Sequence, residues 1–441
     1  MFHQGDGGSV VRRDCAKGQA SCGDTGILSP RLRARELGWR RWCRLAQNIV
    51  AKGGSRGMFR NARLMLYFVI GCLMLAFCVT PAAANGQSNL AVWLWGSTVR
   101  TQGAEAVVKG LAENHVTDVF LLVRGTAGKA DYASAIAPPA EADKDALGDM
   151  MAVCRPLGIR VHAWFVFNQD KAYIDLHPED SMWHHGKANT EFKPYRMEDG
   201  KVCPMSEAHL GYMNDMIREV LENYDVDGIH LDYIRYGHMV YCFCPDHVQK
   251  ATNLGISVDR VREVIFETSY ASNANPNRFF EAYESGDADV VAWVKMRQSE
   301  IRGAAASMRA VAREAKPNVI FSASLMPEGA LVDTNSFAMC HYGQSYEDAG
   351  ELYDLVCPMA YHLDFGKSPA WVGDVARGTI ELVGSDVPVY IGVQAYGNKA
   401  DRDAVQEAIA AGLEAGAEGV ALFRFGTMNE ERWSAVSDAL K

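Results

Sequence analysis

Eight short apolar runs, most of them separated by stretches of helical periodicity, constrain this chain more than any other feature. The runs are Leu90–Trp95, Asp118–Arg124, Ile159–Asn168, Val226–Tyr236, Val319–Met326, Leu355–His362, Val389–Tyr396 and Val420–Phe425. Helical stretches fall between them: Gly103–Asn114, Asp143–Arg155, Ser206–Tyr224 and Val290–Ala315. In Ser206–Tyr224, the residues Leu210, Met213, Ile217, Val220 and Leu221 share one side. Near-continuously apolar strands alternating with helices imply a parallel sheet buried on both faces. Eight such units predict an α/β fold, a closed (β/α)8 TIM barrel rather than an open doubly wound sheet. No G-x-G-x-x-G follows a strand and no Walker-type loop is present, which removes the main nucleotide-binding alternatives; no cofactor is expected. Loop insertions interrupt the alternation after the third and fourth strands, at Gln169–Pro204 and Gly237–Ser285. Both belong to the face where strands end, which is where barrels keep their sites.

The N-terminal region differs from this body. Its first 84 residues hold 13 Lys+Arg against 4 Asp+Glu, and residues 1–57 carry no apolar period. From Met58 the pattern changes to that of a secretory signal. Arg60 and Arg63 form a basic n-region, the 16 residues Leu64–Val79 an apolar h-region, and Ala82-Ala83-Ala84 a cleavage site. That apolar run is short for a membrane span. The expected organisation is therefore a non-native or unfolded leader at 1–57, a signal peptide at 58–84 and a single barrel domain at 85–441, secreted or periplasmic. A membrane anchor, or a lipoprotein built on Cys72, is the competing reading. Of 44 Lys+Arg and 54 Asp+Glu in the whole chain, 31 and 50 follow Ala84. An acidic body of this kind argues against nucleic acid or an anionic membrane surface as partner. Oligomeric state cannot be read from these residues.

The fourth run, V-D-G-I-H-L-D-Y-I-R-Y, carries the most chemistry. Strand alternation puts Ile229, Leu231 and Tyr233 on one face and His230 and Asp232 on the other, with Arg235 and Tyr236 directly after. An imidazole and a carboxylate are costly to bury unpaired, so that face needs a wet cavity or a role. Polar and aromatic residues recur at the other strand ends. The first run ends in Trp93 and Trp95 and the second in Arg124, while the third carries His162, Trp164 and Asn168. The fifth runs into Met326-Pro327-Glu328 and the sixth ends in Tyr361-His362, with Asp364 beyond. The seventh ends in Gln394 and Tyr396, the eighth in Arg424. Taken singly, any one histidine reads better as a core residue with a satisfied ring. Collected at one end of eight strands, the set suits a sugar, whose C–H faces pack on aromatic rings while its hydroxyls bond charged groups. Hydrolysis of a glycosidic bond needs two carboxyls. Asp232 is the first choice for nucleophile or electrostatic stabiliser, against a purely structural pair with Arg235. Glu328 is the first choice for the acid, against a solvated loop glutamate, and Asp364 competes with it.

The motif D-G-I-H-L-D-Y-I-R-Y, with H-A-W-F, C-P-M-S, C-P-M-A-Y-H and Y-I-G-V-Q-A-Y, resembles the glycosyl hydrolase-like 10 proteins over roughly Asn89 to Met428. Those are bacterial exported (β/α)8-barrel proteins related to α-amylase-like and α-galactosidase-like barrels. The resemblance implies a glycoside hydrolase acting on a polysaccharide or oligosaccharide, with the aspartate ending the fourth strand, here Asp232, as nucleophile. It gives Glu328 less support. Many members have proline after the motif's tyrosine, where this chain has Gly237. A non-catalytic carbohydrate-binding barrel fits the aromatic rim equally. A metal-dependent deacetylase fits less well, since no H-x-x-x-H spacing is present. Six cysteines follow the signal: Cys154, Cys203, Cys242, Cys244, Cys340 and Cys357. Cys242-x-Cys244 with His247, and Cys203 as a third thiolate, could bind metal. In an oxidising compartment a disulfide from this pair to another loop cysteine is favoured instead, and no metal is expected. The pair His184-His185 is weaker still as a metal site.

Overall fold

All eight runs form strands of one parallel sheet. A computed structural model of the chain describes residues 88–185, 194–266 and 276–441; the expected leader and export signal lie outside them. The strands are β1 Asn89–Trp95, β2 Asp118–Arg124, β3 Arg160–Val166, β4 Trp183–His185, β5 Pro194–Arg196, β6 Gly228–Asp232, β7 Ile320–Leu325, β8 Leu355–Pro358, β9 Tyr390–Gln394 and β10 Gly419–Phe423. Their order in the main sheet is β8-β7-β6-β3-β2-β1-β10-β9. Parallel bridges Val356–Val389 and Met359–Gly392 join the two edges, so the sheet closes into a (β/α)8 barrel. β4 and β5 are an antiparallel hairpin inside the first insertion.

Each barrel strand divides its side chains as its period of two requires. Outward residues such as Ile229, Leu231, Val161 and Ala163 join the surrounding helices in one core. Those helices begin where the sequence supplies a cap. Ser206 Oγ accepts from His209 N at 3.0 Å to open Glu207–Asn223, and Asp287 does the same for Ala288–Ala315. Inward residues Ala91, Trp93, Phe120, Trp164, Cys357 and Ala421 fill the lumen.

Polar inward residues are matched with one another in layers. At the base, Asp118 accepts from Arg160 at 2.7 Å and meets His162 Nε2 at 2.9 Å. A β-carbon at Gly228 would stand 2.1 Å from the His162 ring, so glycine is what lets that layer close. Higher up, Trp93 Nε1 donates to His230 Nε2 at 3.2 Å, which makes Nε2 an acceptor. Nδ1 then carries the proton and donates to Ser322 Oγ at 2.9 Å, and Ser324 Oγ stands 2.9 Å from Nε2.

The second insertion has a core of its own. Helices Pro245–Asn253, Val258–Ile265 and Pro276–Glu284 gather around Phe243, Phe279 and Trp293. Phe243 and Trp293 stack at 5.0 Å. Arg297, fully buried, joins this core to the barrel. Its guanidinium donates to the carbonyls of Cys340, His341 and His238 at 2.5, 3.1 and 3.0 Å and lies 4.1 Å from the Tyr236 ring. A buried charge held by three carbonyls avoids the desolvation cost of an orphan.

The cysteines depart from the sequence expectation. All six in the described residues are free thiols in buried positions. Cys203 and Cys244 Sγ stand 3.7 Å apart, against about 2.05 Å for a disulfide.

Burial makes stability pH-dependent. His209 packs against Asp170, Phe167 and Tyr173, and burial with the Arg124 charge lowers its pKa to about 3. Burial pushes His230 well below its usual range too. The unfolded chain protonates both near pH 6.5, where the folded chain does not, so the unfolded state binds more protons below that point. This contribution is present above pH 6.5 and is lost as pH falls, at up to about 1.4 kcal/mol per pH unit for each histidine. Calorimetric Tm measured from pH 7 to pH 4.5 is expected to fall steadily, with net uptake of at least one proton on unfolding; a flat Tm contradicts it.

Candidate active site

The β6 strand stops at Asp232, and the next residues turn sharply. Tyr233 adopts φ +54°, a left-handed conformation uncommon for a bulky residue. Arg235 N donates to Tyr233 O at 2.8 Å, so the chain folds back on itself. That turn returns the Arg235 guanidinium to the strand end, where Nη1 donates to Asp232 Oδ1 at 3.2 Å. Tyr233 N donates to the same oxygen at 2.7 Å. The guanidinium also lies 4.5 Å from the Tyr233 ring centroid. Asp232 Oδ2 makes no hydrogen bond within the described residues. Because the strand ends at Asp232, alternation no longer governs Tyr233. Expected on the helix-facing side, it is 37% exposed and borders a cleft.

The cleft is a cavity of about 420 Å³ at the C-terminal mouth of the barrel. Asp232 and Arg235 border it, and Trp95, Trp164, Tyr361 and Phe423 supply aromatic faces. The rings hold one another. Tyr361 lies 5.5 Å from Phe423 and 6.5 Å from Trp93, and Trp164 meets Phe423 edge-on at 6.5 Å. The Arg424 guanidinium covers Trp95 at 3.5 Å. Trp164, although buried, leaves its indole N–H without a partner among the described residues. Burial and the nearby Asp232 charge push the Tyr361 phenol well up, so it stays a protonated donor.

Glu328 comes from the short turn Pro327–Ala330 that follows β7. Tyr342 Oη donates to its Oε1 at 3.1 Å, while Oε2 is buried without a partner among the described residues. Burial raises the Glu328 pKa, and Arg235 acts in the opposite direction. Arg235 is thus electrostatically coupled to Glu328 while hydrogen-bonded to Asp232. Asp364 is more exposed and more engaged: it accepts from Gln394 Nε2 at 2.9 Å and from Tyr396 Oη, and its N–H donates to Gln394 Oε1 at 3.2 Å.

Of the residues singled out by sequence, Trp95, Trp164, Asp232, Arg235 and Tyr361 line this cleft. Arg424 covers Trp95 of the lining, Asp364 and Gln394 bond one another beside Tyr396, which packs on Tyr361, and Glu328 follows Pro327 of the lining in the chain. The others are placed differently. Trp93, His162 and His230 are fully buried in the lumen below the cleft, where packing and mutual hydrogen bonds account for them. Arg124 points outward, fully buried, pairs with Asp170 and donates to Val166 O at 3.3 Å. A shift in register after Leu122 is what turns it away from the lumen. Tyr236 is buried beneath the turn, its hydroxyl 2.7 Å from His247 Nε2. Asn168 borders a neighbouring cavity with Tyr233 and Arg235, and His362 is buried off the cleft. Tyr233, Phe423, Met359 and Phe365 line the cleft without having been expected there. An apolar residue at a strand end carries no signal that separates it from core.

Comparison with known proteins reaches the same region. A family model described as hypothetical glycosyl hydrolase 6 matches residues 103–233, a stretch that runs through β2 and β3 and ends just past Asp232. It supports a glycosyl hydrolase-like relationship, but not the particular family that the motifs resemble. An S-layer-related protein of Niallia circulans is 30% identical over 151 residues, covering 28% of this chain, and the match spans only 9% of that protein. Among solved structures, the glycoside hydrolase domain of PgaB (BpsB) from Bordetella bronchiseptica superposes with TM-score 0.59 at 12% identity, covering 80% of this chain and 99% of that one. Alpha-L-fucosidase isoenzyme 2 from Paenibacillus thiaminolyticus gives TM-score 0.55 at 15% identity, covering 80% and 49%. At these identities the likeness is one of fold.

Proposed function

We propose that this chain is a glycoside hydrolase that cleaves O-glycosidic bonds of a polysaccharide or oligosaccharide with two carboxyl groups. One observation carries the reading: Asp232 ends the fourth barrel strand at the foot of an aromatic-walled cleft, with one oxygen held by Arg235 and Tyr233 N–H and the other unengaged. That arrangement suits a carboxylate that attacks or stabilises an anomeric carbon. Trp95, Trp164 and Tyr361 offer faces for sugar C–H groups, and the unpartnered Trp164 N–H is a donor for a hydroxyl. Glu328 suits the acid role, because burial keeps it protonated to higher pH than an ordinary glutamate, as proton donation to the leaving oxygen requires. The family match across residues 103–233 supports this reaction class. Export is part of the proposal. It rests on the signal-like stretch 58–84 and agrees with the partial likeness to an S-layer-related protein. Among the described residues, no helix is long and apolar enough to cross a membrane.

The test is a panel of bacterial exopolysaccharides and α-glycans incubated with the chain, scored for new reducing ends and for binding. At least one glycan is expected to be depolymerised, and Trp164→Ala is expected to raise its KM about tenfold or more, the loss of a stacked ring being worth on the order of 1–2 kcal/mol. Binding without cleavage under all conditions would turn the reading to a carbohydrate-binding barrel, and neither binding nor cleavage would end it.

A further inference from the structure

Four metal-ligating side chains converge outside the cleft. Cys203, from the end of the first insertion, meets Cys242, Cys244 and His247, from the start of the second, with all four ligand atoms within 4.8 Å of one another. All four residues are buried. Cys203 and Cys244 Sγ are 3.7 Å apart, Cys203 Sγ and His247 Nδ1 3.5 Å, and Cys244 Sγ and His247 Nδ1 3.1 Å. A tetrahedral zinc with Zn–S of about 2.3 Å and Zn–N of about 2.05 Å sets its ligands about 3.8 Å apart for S···S and about 3.6 Å for S···N. Two of the three edges agree with that tetrahedron to about 0.1 Å, and the third is shorter by about 0.5 Å.

The surroundings are those of a metal site. His247 Nε2 lies 2.7 Å from Tyr236 Oη, which fixes the ring with Nδ1 toward the thiols. Trp183 N–H points at Cys242 Sγ at 3.2 Å and His247 N–H at Cys244 Sγ at 3.5 Å, as donors to thiolate sulfur do. Three thiolates and one divalent cation leave one net negative charge, and a buried positive charge stands nearby: the Arg297 guanidinium lies 4.1 Å from the ring of Tyr236, whose hydroxyl meets His247. A disulfide explains less, since it joins two of the three thiols and leaves a third thiol and an imidazole buried beside it.

We propose that Cys203, Cys242, Cys244 and His247 bind one structural zinc ion. With four protein ligands the site is closed, so the metal holds structure and does no chemistry. Binding displaces the thiol protons to solvent as the thiolates form. The ion pins the two insertions to each other. Through the His247–Tyr236 hydrogen bond, it also steadies the turn that starts at Asp232.

The full chain, purified without chelator, is expected to contain close to one zinc per chain by elemental mass spectrometry. Cys203→Ser and His247→Gln are each expected to lower that content about tenfold or more. Cobalt exchanged into the unmodified chain is expected to give the strong visible bands of tetrahedral coordination with intense thiolate-to-cobalt charge transfer, a readout that does not depend on either variant folding. A chain that holds no zinc and gives no such cobalt spectrum overturns the site. So does an intact-mass loss of two hydrogens from a disulfide within Cys203, Cys242 and Cys244, or full zinc content in both variants.

Discussion

Asp232→Asn is expected to lower kcat on a cleaved glycan by about 10⁴-fold or more, the scale on which loss of a nucleophile acts. Each factor of ten is about 1.4 kcal/mol of transition-state stabilisation, so the carboxylate is being asked for about 5.5 kcal/mol. The variant isolates chemistry from structure because asparagine keeps the acceptor that Tyr233 N–H and Arg235 use. Folding stability is expected to drop by about 1–3 kcal/mol, because two hydrogen bonds weaken and the Arg235 guanidinium loses its charged partner. Affinity for the glycan should persist, since the aromatic walls are untouched. Initial rates, binding isotherms and denaturant melts of the two proteins together decide the matter. Unchanged turnover in the variant removes Asp232 from the mechanism.

The second large effect belongs to Glu328→Gln. Loss of a positioned general acid costs about 10²–10⁴ in rate, and the loss should be greatest on natural glycans with poor leaving groups. An aryl glycoside with an acidic phenol needs little protonation and should lose much less. The pH profile gives an independent readout. Burial raises the Glu328 pKa, so the wild-type rate should fall as pH rises through it. In the glutamine variant that alkaline limb should vanish. If Asp364→Asn abolishes the limb and Glu328→Gln does not, the acid is Asp364, which Gln394 and Tyr396 hold by hydrogen bonds.

The barrel was legible because its strands are buried on both faces and therefore stand out from the helices as continuous apolar runs. All eight runs proved to be strands: β2 keeps the bounds of its run, β1 and β10 begin one residue earlier, and the ends that are trimmed lose between one and four residues. The trimming matters most at Val226–Tyr236, of which only Gly228–Asp232 is strand. Alternation places His230 inward correctly, yet it cannot report depth along the barrel. Depth decides whether an inward side chain meets solvent or, like His230, meets Trp93 and two serines. Arg124 was misplaced for a related reason, since an irregularity in the β2–β3 register shifts its direction and leaves no mark in the sequence. The cysteines were read by compartment, which favours disulfides. The set Cys203, Cys242, Cys244 and His247 was the weaker alternative in that reading, because its convergence depends on two insertions meeting, a contact across 44 residues that spacing alone does not decide.

The filled lumen also governs traffic. Asp118, His162, Phe120, Trp93 and His230 plug the barrel from its base nearly to its mouth, so the cleft does not continue down the barrel axis. A polymer cannot thread through it. On the proposed reading, a glycan lies across the rim or inserts one end, and its products leave past the same aromatic rings that receive it.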